Sequence, residues 1–206
     1  MSNPELFLGR ELYVGRPVRN ARISLCQARN GPYHRQLNTL GGATNALDVA
    51  VPYRTEVLAV DEGVVEYVDT THVAYSERMD LSPQQLQWVM GRTNFIVIEH
   101  AGNLRSVYAH LLQGSGCVEV DQYVQEGQVI ALSGPSGWVG DIPNVHVELV
   151  RECERNTEVG IVRVNQSVPF QIDGYHGPYD HEELMAEYAL LIGETRRSLQ
   201  ERFRVS

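Results

Sequence analysis

The chain has 206 residues, of which 43% are hydrophobic and 21% charged, and its formal net charge at pH 7 is -9. This size and composition predict one soluble globular domain whose core needs no stabilising disulfides. The acidic balance disfavours nonspecific binding to nucleic acid or to an anionic membrane surface, because both require a basic face.

The cysteines and the N-terminal residues predict the cellular compartment. Cys26, Cys117 and Cys153 are widely spaced and form no Cys-x-x-Cys pair, which predicts reduced thiols. No basic stretch followed by an apolar one opens the chain, and no apolar run approaches the roughly 20 residues that cross a bilayer. As written, the sequence predicts a cytoplasmic protein without a membrane partner, with export or association with a virus particle as alternatives.

The predicted elements are mostly strands. Short strands at 12–14 and 21–25 precede a loop that ends at Gly41-Gly42. Three β-branched runs follow, and the short turns between them predict antiparallel neighbours. These runs cover residues 46–51, 56–60 and 64–68. Further strands are predicted at 94–99, 104–111, 143–150, 160–164 and 168–172.

A short helix is predicted at 82–90, as an insertion between strands. Ser82 is the expected N-cap, Pro83 takes the first helical position, and Gln85 completes a capping box. Gly91 ends the helix. We expect this helix to overhang a cleft in the β scaffold.

A second helix is predicted from Asp180 to the end of the chain, with Glu183 completing a capping box. Its apolar stripe consists of Leu184, Tyr188, Leu191, Leu199 and Phe203. The stripe predicts packing on the sheet, and an interface with a partner is the alternative.

A short internal repeat lies between residues 118 and 130. Val118-x-x-Asp121-Gln122-x-Val124 is followed by Val124-x-x-Gly127-Gln128-x-Ile130. This period is typical of short strands that turn corners in a compact barrel or sandwich. The apolar residues are expected to face inward, and Asp121 and Gly127 are expected in the turns.

Residues 143–150 alternate between polar and apolar side chains, which predicts a strand with two different faces. The side chains expected in the core are Val145, Val147 and Leu149. The side chains expected to line a cleft are Asn144, His146 and Glu148. Asp48 and His110 occur in two other predicted strands, and Asp and His are common metal ligands. We therefore expect these strands to bring metal-binding side chains together.

The order of these motifs resembles that of the lysostaphin-type or LytM-like zinc metallopeptidases, which cut peptide bonds in peptidoglycan. The segments that carry the resemblance are Asp48-Val49-Ala50-Val51-Pro52, Asp61-Glu62-Gly63, Tyr108-Ala109-His110-Leu111, Gly127-Gln128, Gly134-x-Ser136-Gly137 and Asn144-Val145-His146-Val147-Glu148. The resemblance implies a mostly β fold, the duplicated hybrid motif, which is a barrel-sandwich hybrid of antiparallel strands with a groove along one face. We expect it to form one LytM-like domain over residues 1–178, with an N-terminal extension, and the helix of residues 179–206 to pack on it.

Two positions depart from the family pattern. The family's first zinc-binding His corresponds to Thr44, and the first His of its His-x-His motif corresponds to Asn144. Asp48 and His146 match zinc ligands, and His110 matches a catalytic His. The resemblance therefore implies a binding groove of Thr44, Asp48, Asn144 and His146, with His110 and Asn144 as a degenerate catalytic pair.

Two matched ligands predict that no metal binds at full occupancy, because a catalytic zinc normally has three protein ligands. Two histidines are alternatives for the third ligand. His110, in a rearranged site with Asp48 and His146, is the favoured one. His34, in the upstream loop, is the other, although a surface loop position is the more ordinary interpretation of that residue.

The leading functional hypothesis is a non-hydrolytic LytM-like protein, a pseudoenzyme that binds a peptide-like or peptidoglycan-derived ligand or regulates a partner enzyme. The alternative is a zinc metallohydrolase, endopeptidase-like, with a rearranged metal site or a repurposed cytoplasmic chemistry. A structural or assembly component is a third possibility.

Overall fold

The structure is a computed structural model that describes residues 12–19, 22–32, 34, 43–73, 75–76, 80–157 and 160–204. The strands are β1 (Leu12–Val14), β2 (Leu25–Gln27), β3 (Leu47–Ala50), β4 (Glu56–Leu58), β5 (Gly63–Asp69), β6 (Tyr75–Ser76), β7 (Phe95–His100), β8 (Leu104–Ala109), β9 (Tyr123–Val124), β10 (Val129–Leu132), β11 (Gly137–Trp138), β12 (Asn144–Thr157), β13 (Gly160–Ser167) and β14 (Phe170–Ile172). The helices are α1 (Pro83–Met90) and α2 (His181–Arg204). The predicted mostly β fold with an inserted helix and a C-terminal helix is confirmed. The predicted strand at 21–25 begins later, at Leu25.

The main sheet has the strand order β2-β3-β12-β8-β7-β5-β9, and β13 pairs with β12 beside this path. Its pairs are antiparallel. Within the described residues, three short two-stranded sheets accompany the main sheet: β4 with β10, β1 with β14, and β6 with β11. The long strand β12 therefore lies between β3 and β8, which both supply residues to the cleft.

The three β-branched runs after the first loop are not antiparallel neighbours, and that prediction was wrong. β3 pairs with β2 and β12, β4 pairs with β10, and β5 pairs with β7 and β9. The turn before β4 contains Arg54 at φ 70°. The backbone N–H of Arg54 donates to the carbonyl of Ser133, and the backbone N–H of Thr55 donates to the hydroxyl oxygen of Ser133. The turn is therefore bonded to Ser133, next to β10, and β4 pairs with β10 instead of β3. A short connection between two strands does not by itself decide that they pair.

The core is formed by one cluster of buried side chains, whose members lie between Val14 and Leu184 in the sequence. Its largest fully buried members include Tyr108, Phe170, Leu25, Leu47, Ile96 and Ile98. On β12 the side chains of Val145, Val147 and Leu149 are fully buried, as the alternation predicts. Burial of each such side chain contributes roughly 1.5–3 kcal/mol, so the inward face fixes the direction in which the opposite face points.

The internal repeat has the predicted inward and turn positions. Val118, Val124 and Ile130 are buried, whereas Asp121 and Gly127 occupy the left-handed region at φ 68° and 77°. Each copy is also closed by a glutamine: the side-chain oxygens of Gln122 and Gln128 accept the backbone N–H groups of Glu119 and Gln125.

Both helices begin where their caps predict. Ser82 accepts the N–H of Gln85, whose side chain accepts the N–H of Ser82, and this confirms the capping box of α1. Asp180 accepts the N–H of Glu182 at the start of α2.

α2 packs through its first turns, where Leu184 is buried and the Tyr188 hydroxyl donates to the carbonyl of Leu25. Leu191 is 59% exposed. Among the described members of the predicted stripe, Leu184 and Tyr188 therefore pack on the sheet and Leu191 does not. The side chains of Leu199 and Phe203 lie outside the described part of the structure. Neither helix of the described residues combines the length and apolar character needed to cross a membrane.

Candidate metal centre and cleft

Strand pairing brings three polar side chains into one row. His146 on β12 lies opposite Asp48 on β3, which in turn lies opposite Gln27 on β2. On the other side of β12, His146 lies opposite Ala109, the last residue of β8. Directly paired side chains on one face of a sheet are close neighbours. The register therefore gathers Gln27, Asp48 and His146, with His110 at the adjacent strand end.

His34 completes a cluster of three side chains that could hold a metal ion. Its Nε2 atom is 3.3 Å from Asp48 Oδ1, and His146 Nδ1 is 2.9 Å from the same oxygen. One ligand atom from each of the three residues lies within 4.8 Å of the other two. His34 is 2% exposed, so it is a buried residue of the cleft and not a surface histidine.

This donor set fits zinc. Zinc is bound by imidazole nitrogen and carboxylate oxygen at about 2.0–2.2 Å, and tetrahedral coordination then separates neighbouring ligand atoms by about 3.3 Å. The two measured separations, 2.9 and 3.3 Å, lie close to that value. Two histidines and one carboxylate are also a typical set for a catalytic zinc site with an open fourth position.

Neighbouring groups orient each of the three side chains. His34 Nδ1 lies 3.2 Å from the carbonyl oxygen of Ala28, so Nδ1 carries the proton and Nε2 is directed at the cluster. Gln27 Nε2 donates to Asp48 Oδ2 at 3.1 Å. His146 Nε2 is 3.9 Å from Glu148 Oε2. Such partners fix the tautomer of a metal-binding histidine and raise its basicity.

The charges of the cluster are strongly coupled. Burial alone would lower the pKa of His146, but its hydrogen bond to Asp48 and the ionic attraction of Asp48 and Glu148 prevail and raise that pKa to about 10. Burial also opposes ionisation of Asp48, yet the attraction of His34 and the hydrogen bond from His146 hold the pKa of Asp48 below its usual range. The cluster without metal therefore pairs a carboxylate with an imidazolium.

His110 borders the cluster without being part of it. Its ring lies 6.2 Å from the ring of His146, and its Nδ1 is 2.9 Å from the carbonyl oxygen of Ser136. Because a carbonyl only accepts, Nδ1 carries the proton and Nε2 keeps a free lone pair. Burial and the nearby His146 lower the pKa of His110. Its backbone adopts φ 61°, an unfavourable conformation often found at functional sites.

The two positions that depart from the family pattern have different surroundings. Thr44 is not among the described residues that line the cleft, and its carbonyl accepts the N–H of Asn30 at 2.8 Å. Asn144 lines the cleft, and its side-chain nitrogen donates to the carbonyls of Val139 and Ile142. These two bonds use both N–H groups, so the amide is not free to donate to an oxyanion or a substrate carbonyl.

The cleft forms a cavity of about 210 Å³ beside the cluster. Apolar side chains form much of its wall: Met90, Ala109, Trp138, Val139 and Ile142. Met90 ends α1, so the inserted helix does border the cleft. Strand β11 is tightly packed beside the cleft, because a Cβ at Gly137 would lie 2.2 Å from Thr93 Oγ1. The backbone at Gly137 has φ 76°, which favours glycine.

The supporting roles of Gln27 and of the Ser136 carbonyl were not predicted from the sequence. No local pattern marks Gln27, since its role follows from the β2–β3 register. Ser136 belongs to the motif Gly134-x-Ser136-Gly137, which was a usable signal. His100 lies apart from the cleft, bonded to the Glu62 carbonyl and the Ser106 hydroxyl in a buried network.

The model of peptidase family M23 matches residues 42–158. No curated protein gives a significant match in sequence. Among solved structures, a mutant catalytic domain of the prophage-encoded M23 protein EnpA from Enterococcus faecalis is 21% identical, with a TM-score of 0.46, and the match covers 74% of this chain and 92% of that one. A zinc-containing peptidase from Vibrio cholerae is 24% identical, with a TM-score of 0.47 and coverages of 74% and 37%. The catalytic domain of lysostaphin, an antimicrobial peptidase from Staphylococcus simulans, is 22% identical, with a TM-score of 0.38 and coverages of 52% and 65%.

Proposed function

Because the chain belongs to peptidase family M23, we propose that it is a zinc-dependent peptidase that hydrolyses a peptide-like or peptidoglycan-derived substrate in the cleft. The observation that supports this most strongly is the convergence of His34, Asp48 and His146. The hypothesis of a non-hydrolytic protein depended on two departures from the family pattern: Thr44, which left two ligands, and Asn144, which replaced a catalytic imidazole. His34 supplies the third side chain from another part of the chain.

His34, Asp48 and His146 would hold the metal. When bound, zinc supplies a water molecule with a pKa of about 7 and polarises a substrate carbonyl. Gln27 and Glu148 hold the carboxylate and the imidazole in orientation from outside the ligand set. Loss of such a supporting group typically costs 10–100-fold in metal affinity, so we include both residues in the site.

His110 is the proposed acid–base group. Its Nδ1–H donates to the Ser136 carbonyl, which leaves Nε2 able to take a proton from an attacking water and to return it to the leaving amine. Asn144 cannot transfer a proton at neutral pH. A positioned acid–base group contributes about 10²–10⁴-fold, so hydrolysis should be slower than in a site with an imidazole at that position as well.

Non-hydrolytic binding of the same class of ligand is the second candidate function. The observation in its favour is Asn144, whose amide nitrogen is committed to the carbonyls of Val139 and Ile142. In that case the cleft would retain its metal and its ligand but would turn the ligand over too slowly to matter, and the protein would serve as a binding or regulatory component for a partner enzyme.

Metal content and peptide cleavage, measured on the same samples, test the proposal. Protein purified without chelator should contain near one equivalent of zinc by mass spectrometry, and His146→Ala should contain much less. Pentaglycine and a peptidoglycan stem peptide serve as substrates, with products identified by mass spectrometry. His110→Ala should keep its zinc and lose at least about 100-fold in cleavage rate, whereas the exposed control His176→Ala should match the wild type.

The outcomes separate the two functions. Absence of zinc from the wild type contradicts the metal centre and hence the peptidase. Stoichiometric zinc with peptide binding but no cleavage contradicts the peptidase and favours the binding role. Cleavage that survives in His110→Ala contradicts the role assigned to that histidine.

A further inference from the structure

The side-chain amide of Asn144 is 3% exposed, and its Oδ1 atom has no hydrogen-bond partner among the described residues. Its nitrogen donates to the carbonyl oxygens of Val139 and Ile142, at 3.1 and 2.8 Å. Because carbonyl oxygens only accept, the nitrogen must face them and the orientation of the amide is fixed. Oδ1 is therefore the atom left for a ligand, and it can only accept.

A buried acceptor without a donor is unfavourable, and such atoms are uncommon in folded proteins. A ligand that brings an N–H or O–H group to Oδ1 would remove this penalty. Asn144 lines the cavity and lies on the same face of β12 as His146, two positions away. Alternate residues of a strand are about 7 Å apart, which equals about two residues of an extended peptide.

We propose that Asn144 Oδ1 accepts a hydrogen bond from a backbone N–H of a peptide ligand, one or two residues away from the bond that lies at the metal centre. The class of ligand rests on the proposed function. Asn144 then binds and orients the substrate, and the cleft selects a substrate with a secondary amide at that point. This role differs from oxyanion stabilisation, which requires a donor that the fixed amide does not offer.

The test removes the donor from the ligand without changing its size. Pentaglycine and the stem peptide are each prepared as a series in which one backbone N–H at a time is replaced by oxygen. Affinity for zinc-supplemented wild type and Asn144→Leu is measured as KM where cleavage occurs and as Kd by calorimetry where it does not. One replacement should weaken binding to the wild type about tenfold, the effect of one neutral hydrogen bond, and should leave binding to Asn144→Leu unchanged.

A second measurement requires no variant, and it decides the matter if Asn144→Leu does not fold. In 15N–1H spectra of the wild-type protein, the side-chain amide signals of Asn144 should shift when the parent peptide binds. The peptide that lacks the critical N–H should not produce this shift. Peptides with a replacement elsewhere should produce it in full.

Three results would overturn the proposal. The first is that the N–H replacements weaken binding equally in the wild type and in Asn144→Leu. The second is that no N–H replacement in the series weakens binding to the wild type. The third is that neither parent peptide binds at millimolar concentration. Zinc content and cleavage in the same samples keep this test separate from that of the proposed function. If the peptides are cleaved but no N–H replacement weakens binding, only the role of Asn144 is contradicted. If zinc is missing from the protein, the peptidase is contradicted, and the binding measurements still test the role of Asn144.

Discussion

His34→Ala removes one of the three side chains that converge at the candidate metal centre, whereas Thr44→Ala changes the residue that the family pattern aligns with that ligand. His34 Nε2 lies 3.3 Å from Asp48 Oδ1. Thr44 is not among the described residues that line the cleft. We therefore expect His34→Ala to lose zinc affinity and Thr44→Ala to keep it.

The size of the effect follows from ligand linkage. Loss of a supporting group outside the ligand set costs 10–100-fold in metal affinity, so loss of the ligand itself should cost at least about 100-fold. At a fixed zinc concentration that saturates both proteins, a 100-fold loss of zinc affinity removes about 2.7 kcal/mol of zinc-dependent stabilisation. For a chain of this size, 1 kcal/mol shifts Tm by about 2–4 °C. The increase in Tm on adding zinc should therefore be about 5–11 °C smaller in His34→Ala.

The assay is thermal unfolding of the wild type, His34→Ala and Thr44→Ala, each with chelator and with zinc. The change in Tm between the two conditions is compared, and not Tm itself, because His34 also makes a buried hydrogen bond to Ala28. An equal zinc-dependent shift in wild type and His34→Ala would refute the reasoning. So would a shift that disappears in Thr44→Ala alone.

Three further predictions concern affinity and stability. Glu148→Gln should lower zinc affinity about 10–100-fold by calorimetry, because the imidazole of His146 loses its carboxylate partner; unchanged affinity would exclude that role. Gly137→Ala should destabilise the fold by about 1–3 kcal/mol more than Gly127→Ala in urea unfolding, since both have φ near 76° but only the first meets a neighbouring side chain. Leu149→Ala should lower the free energy of unfolding by about 2–5 kcal/mol by the same method, and a loss below 1 kcal/mol would contradict its place in the core.

Local patterns predicted the parts of the fold that local physics decides. The alternation at 143–150 identified both faces of β12, because side chains alternate along any strand. The repeat at 118–130 identified two turns, because Asp121 and Gly127 tolerate the left-handed backbone that the turns require. The pairing of the strands could not be predicted from local patterns. β4 pairs with β10, more than 70 positions later, and nothing within the run 56–60 specifies that choice.

In the candidate site, too, local patterns predicted single residues but not the strand pairing that brings them together. Asp48, His146 and His110 were found because each lies in a short motif with a recognisable pattern. Their mutual placement depends on the register of β3, β12 and β8, which the sequence alone does not reveal. Gln27 carried no local signal at all, since its contact with Asp48 arises from the β2–β3 pairing.

His34 explains why motif spacing can misjudge a metal site. In the family pattern the first ligand stands four positions before the Asp, whereas His34 stands 14 positions before Asp48. The N–H of Asn30 donates to the carbonyl of Thr44, so these two positions lie side by side although they are distant in sequence. A metal ion requires a geometry of donor atoms and not a spacing in sequence, and for this reason the threonine at position 44 is weak evidence that the metal centre was lost.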